Sequence, residues 1–344
     1  MEKRVTIYDI AKHLGISTAT VNRALTGKPR VKEETRRLVM ETAAQMGFRP
    51  NTLARSLARK PLKLAVVGFT SFSEFHGSFL RGAMDASEEL ADYNIAVDCF
   101  RYDKGATNTP ESDLFLEDTL LRIADEGYDG VLALARHTDT FQVLRKKGIY
   151  VATAVNDIDP QMRGFYVSYN GFVAGRIAAE LIYRWMGDRN RPIAIASGFE
   201  GMGIHDQTVS GFTEQMRIMP LNLCDICYNL DNEDVAYENT LRLLKETPDL
   251  GAIYINSFNY RGVIHAVQER KMDGKLLLIT SDISGELKQL IENGIVSASI
   301  FQNQYEQGRL GLHRLHQVLD GAEEAEDTIS IDPQIILRSN LTLF

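Results

Sequence analysis

Residues 5–27 read VTIYDIAKHLGISTATVNRALTG, and this stretch decides the first part of the fold. Thr6 with Asp9 three residues on is a capping-box start: the threonine hydroxyl accepts from the Asp9 amide while the carboxylate reaches back to the Thr6 N–H. Ile7, Ile10, Ala11 and Leu14 then fall on one face of a first helix. Gly15 supplies a tight turn, and Ser17 can cap a second helix whose Val21, Ala24 and Leu25 repeat at helical spacing. Thr18, Ala19, Asn22 and Arg23 remain on the outer face of that second helix. A helix-turn-helix presents such a face to base edges in a DNA major groove.

Charge supports a nucleic-acid partner for this head. Residues 1–60 hold 13 Lys and Arg against 5 Asp and Glu, a net of +8. The other 284 residues hold 25 against 41, a net of −16. A basic module on an acidic body fits attraction to phosphate by one part only. Asn51–Lys60 lies between Pro50 and Pro61, so any helix there spans about two to three turns, short of the ~12–15 residues that hold a helix in water. It is expected to become helical only on DNA. Leu57 stands there as an apolar residue among Arg55, Arg59 and Lys60.

These motifs, in this order, resemble the LacI/GalR family of bacterial transcription repressors. The matching residues are Val5 to Ala11, Ser17 to Arg23, Val31, Thr35-Arg36, Arg49-Pro50-Asn51 and Ala54 to Ala58. The resemblance implies that Leu57 wedges into the minor groove beside its two-fold mate, with Leu53 facing the partner hinge and Ala54 permitting close approach. DNA contacts are expected from Thr6, Tyr8, Ser17, Thr18, Ala19, Thr20, Asn22, Arg23, Arg30, Asn51, Ala54, Arg55 and Leu57. Lys3 and Arg49 join Arg30 and Arg55 as phosphate contacts.

The chain has 344 residues, 44% of them apolar, and 3 cysteines. No apolar run approaches the 18 residues of a membrane span, and the first residues hold no secretory signal. The cytoplasm is the expected compartment. From Leu62 onward, short apolar runs alternate with amphipathic stretches. The runs are Leu64–Phe69, Val131–Ala135, Tyr150–Val155, Ile193–Ala196, Ala252–Ile255, Leu276–Ile279 and Ala298–Phe301. Helical stretches such as Phe79–Leu90, Gly171–Met186 and Gln304–Leu319 fall between them. This alternation predicts an α/β class with parallel sheets. The count favours two doubly wound lobes, with crossings near Phe165–Tyr169, Phe301–Gln304 and Glu326–Ser330. The resemblance identifies such a body with periplasmic binding proteins of type I. The expected domains are a helix-turn-helix head over 1–50, a hinge over 51–61 and a ligand-binding, dimerising body over 62–344. Within the body, one lobe takes about 62–165 and 302–325, the other about 166–301 and 326–344.

Ligands of open α/β sheets bind past the carboxyl ends of the strands. The residues there are Ser73, Phe75, His76, Arg136, Asn156, Asp157, His205, Asn256, Asp282 and Gln302, a set of amides and carboxylates with an aromatic platform. Any one of them alone is an ordinary strand-end polar residue. The resemblance strengthens Asp282, Gln302, Asn256, Phe75 and His76 as effector contacts. Two positions depart from the family. Thr208, which is still expected among the effector contacts, stands three residues before Gly211-Phe212, where an arginine usually clamps the sugar, and Ser257 stands where aspartate is frequent. His205 or Arg136 could compensate.

Other motifs point elsewhere. Cys224-Asp-Ile-Cys227 lacks a second pair at zinc spacing, His313 and His316 sit among Arg309 and Arg314, and Gly198–Gly203 is no dinucleotide fingerprint. The sequence therefore describes a homodimeric DNA-binding regulator, most simply a repressor of carbohydrate-utilisation genes. It would bind double-stranded palindromic operator DNA and answer to a small sugar-like effector. No cofactor, metal, membrane or enzymatic activity is expected. The alternative is a solute-binding receptor without DNA function. Release from the operator on effector binding is the expected response, while corepression and activation would use the same fold.

Overall fold

The computed structural model describes residues 5–25, 29–48, 60–70, 72–104, 109–135, 139–321 and 326–344, with side chains omitted at 72 and 73. The chain divides into two compact units, residues 1–60 and 61–344.

Among its described residues the head has three helices: α1 (Ile7–Leu14), α2 (Thr18–Leu25) and α3 (Glu33–Gln45). The capping box forms as the spacing predicts. Asp9 Oδ2 accepts from Thr6 N at 2.8 Å, and the Asp9 amide donates to Thr6 Oγ1 at 3.4 Å. Gly15 ends α1 at φ 65°, a left-handed conformation glycine adopts without Cβ strain. Ser17 Oγ accepts from Thr20 N at 3.1 Å and so starts α2. Ile10, Ala11, Val21, Ala24, Val39 and Ala43 make the small core. The third helix, absent from the expectation, closes that core, and Arg36 Nη1 donates to the Ala24 carbonyl at 3.1 Å.

The body begins with β1 (Leu62–Phe69), α4 (Gly77–Glu89), β2 (Ile95–Tyr102), α5 (Pro110–Asp125), β3 (Gly130–Ala133), α6 (Gln142–Lys146), β4 (Tyr150–Ala154) and β5 (Phe165–Tyr169). It continues with α7 (Gly171–Trp185), β6 (Pro192–Ser197), α8 (Gly203–Met216), β7 (Asn222–Tyr228), α9 (Glu233–Glu246), β8 (Ala252–Ile255), α10 (Tyr260–Glu269), β9 (Leu277–Ser281), α11 (Gly285–Glu292) and β10 (Ala298–Phe301). Last come α12 (Gln304–Leu319), β11 (Thr328–Ile331) and β12 (Gln334–Ile336). Two six-stranded sheets result, ordered β11-β5-β4-β3-β1-β2 and β12-β10-β9-β8-β6-β7. The described pairings are parallel except β10 with β12.

Each sheet is covered on both faces, which is why its central strands read as unbroken apolar runs. In β1, Leu64 and Val66 enter one core while Ala65 and Val67 enter another. In β8, Ile253 and Ile255 face one side and Ala252 and Tyr254 the other.

Two expectations are corrected. Strands 165–169 and 328–331 pair with each other and belong to the first sheet, so the lobe boundaries at 166 and 326 fall too early. The chain crosses between lobes at Asn170, between Phe301 and Gln304, and between Ile331 and Gln334. The edge strands β2 and β7 went unread as full strands because they are half exposed and carry no apolar run.

Candidate effector cleft and DNA-reading helix

The carboxyl ends of both sheets face one cavity of about 670 Å3, within the range of small-molecule sites. Eight expected effector residues line it: Phe75, His76, Asn156, Asp157, His205, Asn256, Asp282 and Gln302. Arg136 lies outside the described residues, as does the side chain of Ser73.

Thr208 is not among the lining residues. It is fully buried on the face of α8 that packs against α7, where a Cβ on Gly175 would stand 1.9 Å from the Thr208 carbonyl oxygen. Its hydroxyl donates to the Ile204 carbonyl at 2.9 Å and lies 3.2 Å from the Tyr169 hydroxyl. In this geometry Thr208 seals a helix contact and offers nothing to a ligand.

Asp282 is the polar centre of the second-lobe wall. It sits just past β9 at φ 68°, and only 3% of it is exposed. Its Oδ2 accepts from Gln302 Nε2 at 2.9 Å, and its Oδ1 accepts from Gln304 Nε2 at 2.6 Å and Gln302 N at 3.3 Å. Burial pushes its carboxyl up to about 7, against the pull of those hydrogen bonds. Asn256, past β8, is 2% exposed, and neither of its amide atoms has a partner among the described residues.

His205 Nδ1 accepts from Phe199 N at 3.0 Å. The ring proton therefore sits on Nε2, and burial holds the imidazole below its ordinary value despite the nearby Asp231. Burial likewise raises the Asp231 carboxyl. Its Oδ1 accepts from Asn259 Nδ2 at 3.2 Å. A Cβ on Gly198 would stand 2.1 Å from His205 Cε1 and 2.6 Å from Asp231 Oδ1, so only glycine lets these two side chains meet.

The first-lobe wall is aromatic and apolar, with Phe69, Phe75, Leu134, Val155, Tyr166 and Tyr169. Val155 holds φ 66°, rare for a β-branched residue. Asn156 N donates to the Ala154 carbonyl at 2.7 Å across it, the bond of a strained γ-turn. The Tyr166 hydroxyl donates to the Val155 carbonyl at 2.7 Å and holds the turn. Asp157 lines the cavity but its oxygens are largely engaged, by Thr153, the Ile158 amide and Arg163. Arg163 also reaches Asp327, at the start of β11, at 2.8 Å. At the cavity mouth the lobes touch: Glu74 Oε1 accepts from Gly285 N at 2.9 Å, and the Phe75 and Phe258 rings meet at 6.1 Å.

Reading the sequence missed Tyr166, Tyr169, Phe199, Glu200, Asp231 and Thr328, which also line the cavity. The Asn229-Leu-Asp-Asn232 turn past β7 carried a signal for Asp231, legible only once β7 is recognised as a strand.

In the head, Ala19, Asn22 and Arg23 are exposed on α2, and Thr18 and Thr20 are partly so. Tyr8 is 77% exposed, and Arg30 is exposed at φ 71°. Thr6 and Ser17 are exposed too, though their hydroxyls are engaged in the caps. Asn51, Ala54, Arg55 and Leu57, with Lys3 and Arg49, lie outside the described residues.

The set-aside motifs have structural partners of their own. Cys224 and Cys227 lie three apart on β7, so one is exposed and the other buried on the opposite face. His313 Nε2 contacts Glu89 at 2.6 Å, while His316 packs edge-on to Tyr93.

Residues 6–51 match the model of bacterial regulatory proteins of the lacI family, and residues 64–323 match a periplasmic binding protein domain. The catabolite control protein A of Priestia megaterium is 27% identical over 278 residues, covering 78% of this chain and 79% of that protein. The protein of that name from Staphylococcus aureus is 22% identical over 341 residues, covering 97% and 98%. Among solved structures, a glucose-galactose binding protein from Geobacillus stearothermophilus superposes with a TM-score of 0.70 at 20% identity, covering 82% of this chain and 99% of the other. A solute-binding protein from Burkholderia graminis in complex with D-arabinose gives 0.71 at 19%, covering 83% and 98%. These last two likenesses are likenesses of fold.

Proposed function

This chain belongs to the LacI family of bacterial regulatory proteins, its body being a periplasmic binding protein domain, and from that premise we propose how it works. It is a ligand-responsive, sequence-specific transcriptional regulator. We propose a cytoplasmic homodimer that holds a palindromic operator with two copies of α2 in successive major grooves. Ala19, Asn22 and Arg23 read base edges, Arg30 and Arg55 contact phosphate, and Leu57 enters the minor groove. A sugar-like effector in the cleft changes the angle between the lobes and shifts the dimer between DNA-binding and released states.

The observation that carries this reading is the pairing of a cap-anchored, outward-facing α2 with a sugar-sized cavity at the sheet ends of the body. Selection and sequencing of genomic fragments retained by the purified protein at two salt concentrations tests it. A short palindrome with a pyrimidine–purine centre is expected, with affinity falling steeply as salt rises. The Leu57→Ala variant should keep the half-site preference and lose DNA bending. Retention without any enriched sequence, with or without added sugars, would sink the reading. The fold likeness to solute-binding proteins keeps one rival in view: a chain lacking 1–60 that still sustains sugar uptake would favour a receptor.

A further inference from the structure

We propose that the ligand of the cleft is a polyol bearing an ammonium group, an amino sugar or amino alditol, received by the carboxylates of the second-lobe wall. The inference rests on the reading that the cleft takes a sugar-like effector, and it names the chemistry of that effector.

The first observation is a set of carboxylates gathered on one wall. Gln302 Nε2 gives one of its two N–H bonds to Asp282, and its Oε1 is a further acceptor. Asp282 is a carboxylate held by three N–H donors and brings no donor of its own when ionised. Asp231 brings a second carboxylate, and Glu200 a third near the exposed rim. Among the described lining residues, donors facing them include the Nε2–H of His205, whose Nδ1 is committed to the Phe199 amide, the side-chain amides of Asn156, Gln207 and Asn256, and the Ser257 hydroxyl.

The second observation is charge without an answer. No Lys or Arg is among the described residues that line the cavity. Asp157 has Arg163 at 2.6 Å, but that guanidinium is shared with Asp327. Among the described residues, Asp231 and Asp282 accept hydrogen bonds from amides alone, and the imidazole beside Asp231, that of His205, is held below its ordinary value by burial. A buried carboxylate without a cation is costly, and a ligand that brings the cation relieves that cost.

The third observation locates a ligand independently of the carboxylates. Asn256 is 98% buried, lines the cavity, and has an unpartnered Oδ1 and Nδ2. Native structures rarely leave both atoms of a buried amide unmet, so this one awaits a group that donates and accepts. A hydroxyl does both. A phosphate or carboxylate only accepts, and would face the acceptors of Asp282, Asp231 and Gln302. A ring of hydroxyls with one ammonium matches the whole wall.

Calorimetry on the full-length protein tests this with matched probes: D-glucosamine, D-galactosamine and D-mannosamine, each against its parent hexose and that hexose's 6-phosphate. At least one amine is expected to bind about tenfold or more tightly than its parent and its phosphate, because a site built around a polar group rejects the analogue lacking it. The Asp231→Asn variant, checked for an unchanged melting profile, should bring amine and parent to within about threefold of each other. Equal or tighter binding of a hexose or its phosphate, or binding of none of the three amines, overturns the proposal. The wild-type comparison decides even if Asp231→Asn does not fold. A failure here leaves the regulator reading standing, because operator selection measures that separately.

Discussion

The two lobes of the body share one plan and present different chemistries to the cleft between them. Each has a six-stranded sheet buried on both faces. Each also holds a pair of helices pressed together through glycines. In the first lobe, Gly82 of α4 meets the Tyr305 carbonyl of α12, and Gly308 returns the contact at Phe79. In the second, Gly175 of α7 meets Thr208 of α8, and Gly211 returns it at Phe172. Yet the first lobe offers rings, a strained valine turn and one carboxylate, Asp157, already paired with Arg163, while the second adds the carboxylates of Asp231 and Asp282 and the unpartnered amide of Asn256. The difference teaches that packing fixes strands and helices, while the residues one step past a strand end are free to carry any chemistry.

The largest effect should come from the shared plan. Gly82→Ala and Gly211→Ala each place a Cβ 1.9 Å from a backbone oxygen of the facing helix. Each should cost about 3 kcal/mol of stability by urea unfolding, because neither backbone can retreat alone. If one lobe tolerates its alanine, the two helix pairs are not equivalent.

The walls should then diverge. Asp282→Ala strands the side-chain amides of Gln302 and Gln304 and should cost about 2 kcal/mol. The wild type should also gain stability as pH falls from about 7 toward the ordinary carboxylate range. In that window the folded state holds a proton that the unfolded chain has released. Asp282→Asn should lose most of this dependence in pH-resolved unfolding, the remainder belonging to Asp231, whose carboxyl burial also raises; an undiminished slope would reassign it to another group.

On the first-lobe wall, Tyr166→Phe removes the hydroxyl that donates to Val155 and should cost about 1 kcal/mol. It should disturb ligand binding more than stability, because it frees the turn that aims Asn156.

The smallest effect concerns surface pairs. Glu180 precedes Arg184 by one turn, whereas Arg122 precedes Glu126. The glutamate-first order agrees with the helix dipole. Arg184→Ala should therefore move the unfolding midpoint slightly more than Arg122→Ala, and equal shifts in paired melts would show that orientation is irrelevant.

Much of this was legible in the sequence where one local rule governs. The Thr6–Asp9 box, Gly15 and the Ser17 cap are spacing effects and appear as read. The central strands announce themselves as apolar runs because both faces are buried. The third head helix did not: Glu33–Gln45 buries only Val39, Thr42 and Ala43 and has no side-chain N-cap. Asp231 was hidden behind β7, an edge strand without an apolar signature. Tyr166 and Thr328 were hidden by placing the crossings a few residues early. Thr208 was expected in the cleft because sequence gives a helix position but not the rotation that turns it toward α7.

The three crossings have a consequence for biosynthesis. The head closes within residues 5–48, so it can fold as soon as it leaves the ribosome. The first lobe cannot finish until α12 and β11 arrive, after the second lobe's strands β6 to β10 have been made. At about 5–20 residues per second, its partial sheet waits roughly ten to thirty seconds with apolar surface uncovered. During synthesis this protein is most vulnerable in its first lobe, where a nascent-chain chaperone would have the most to shield.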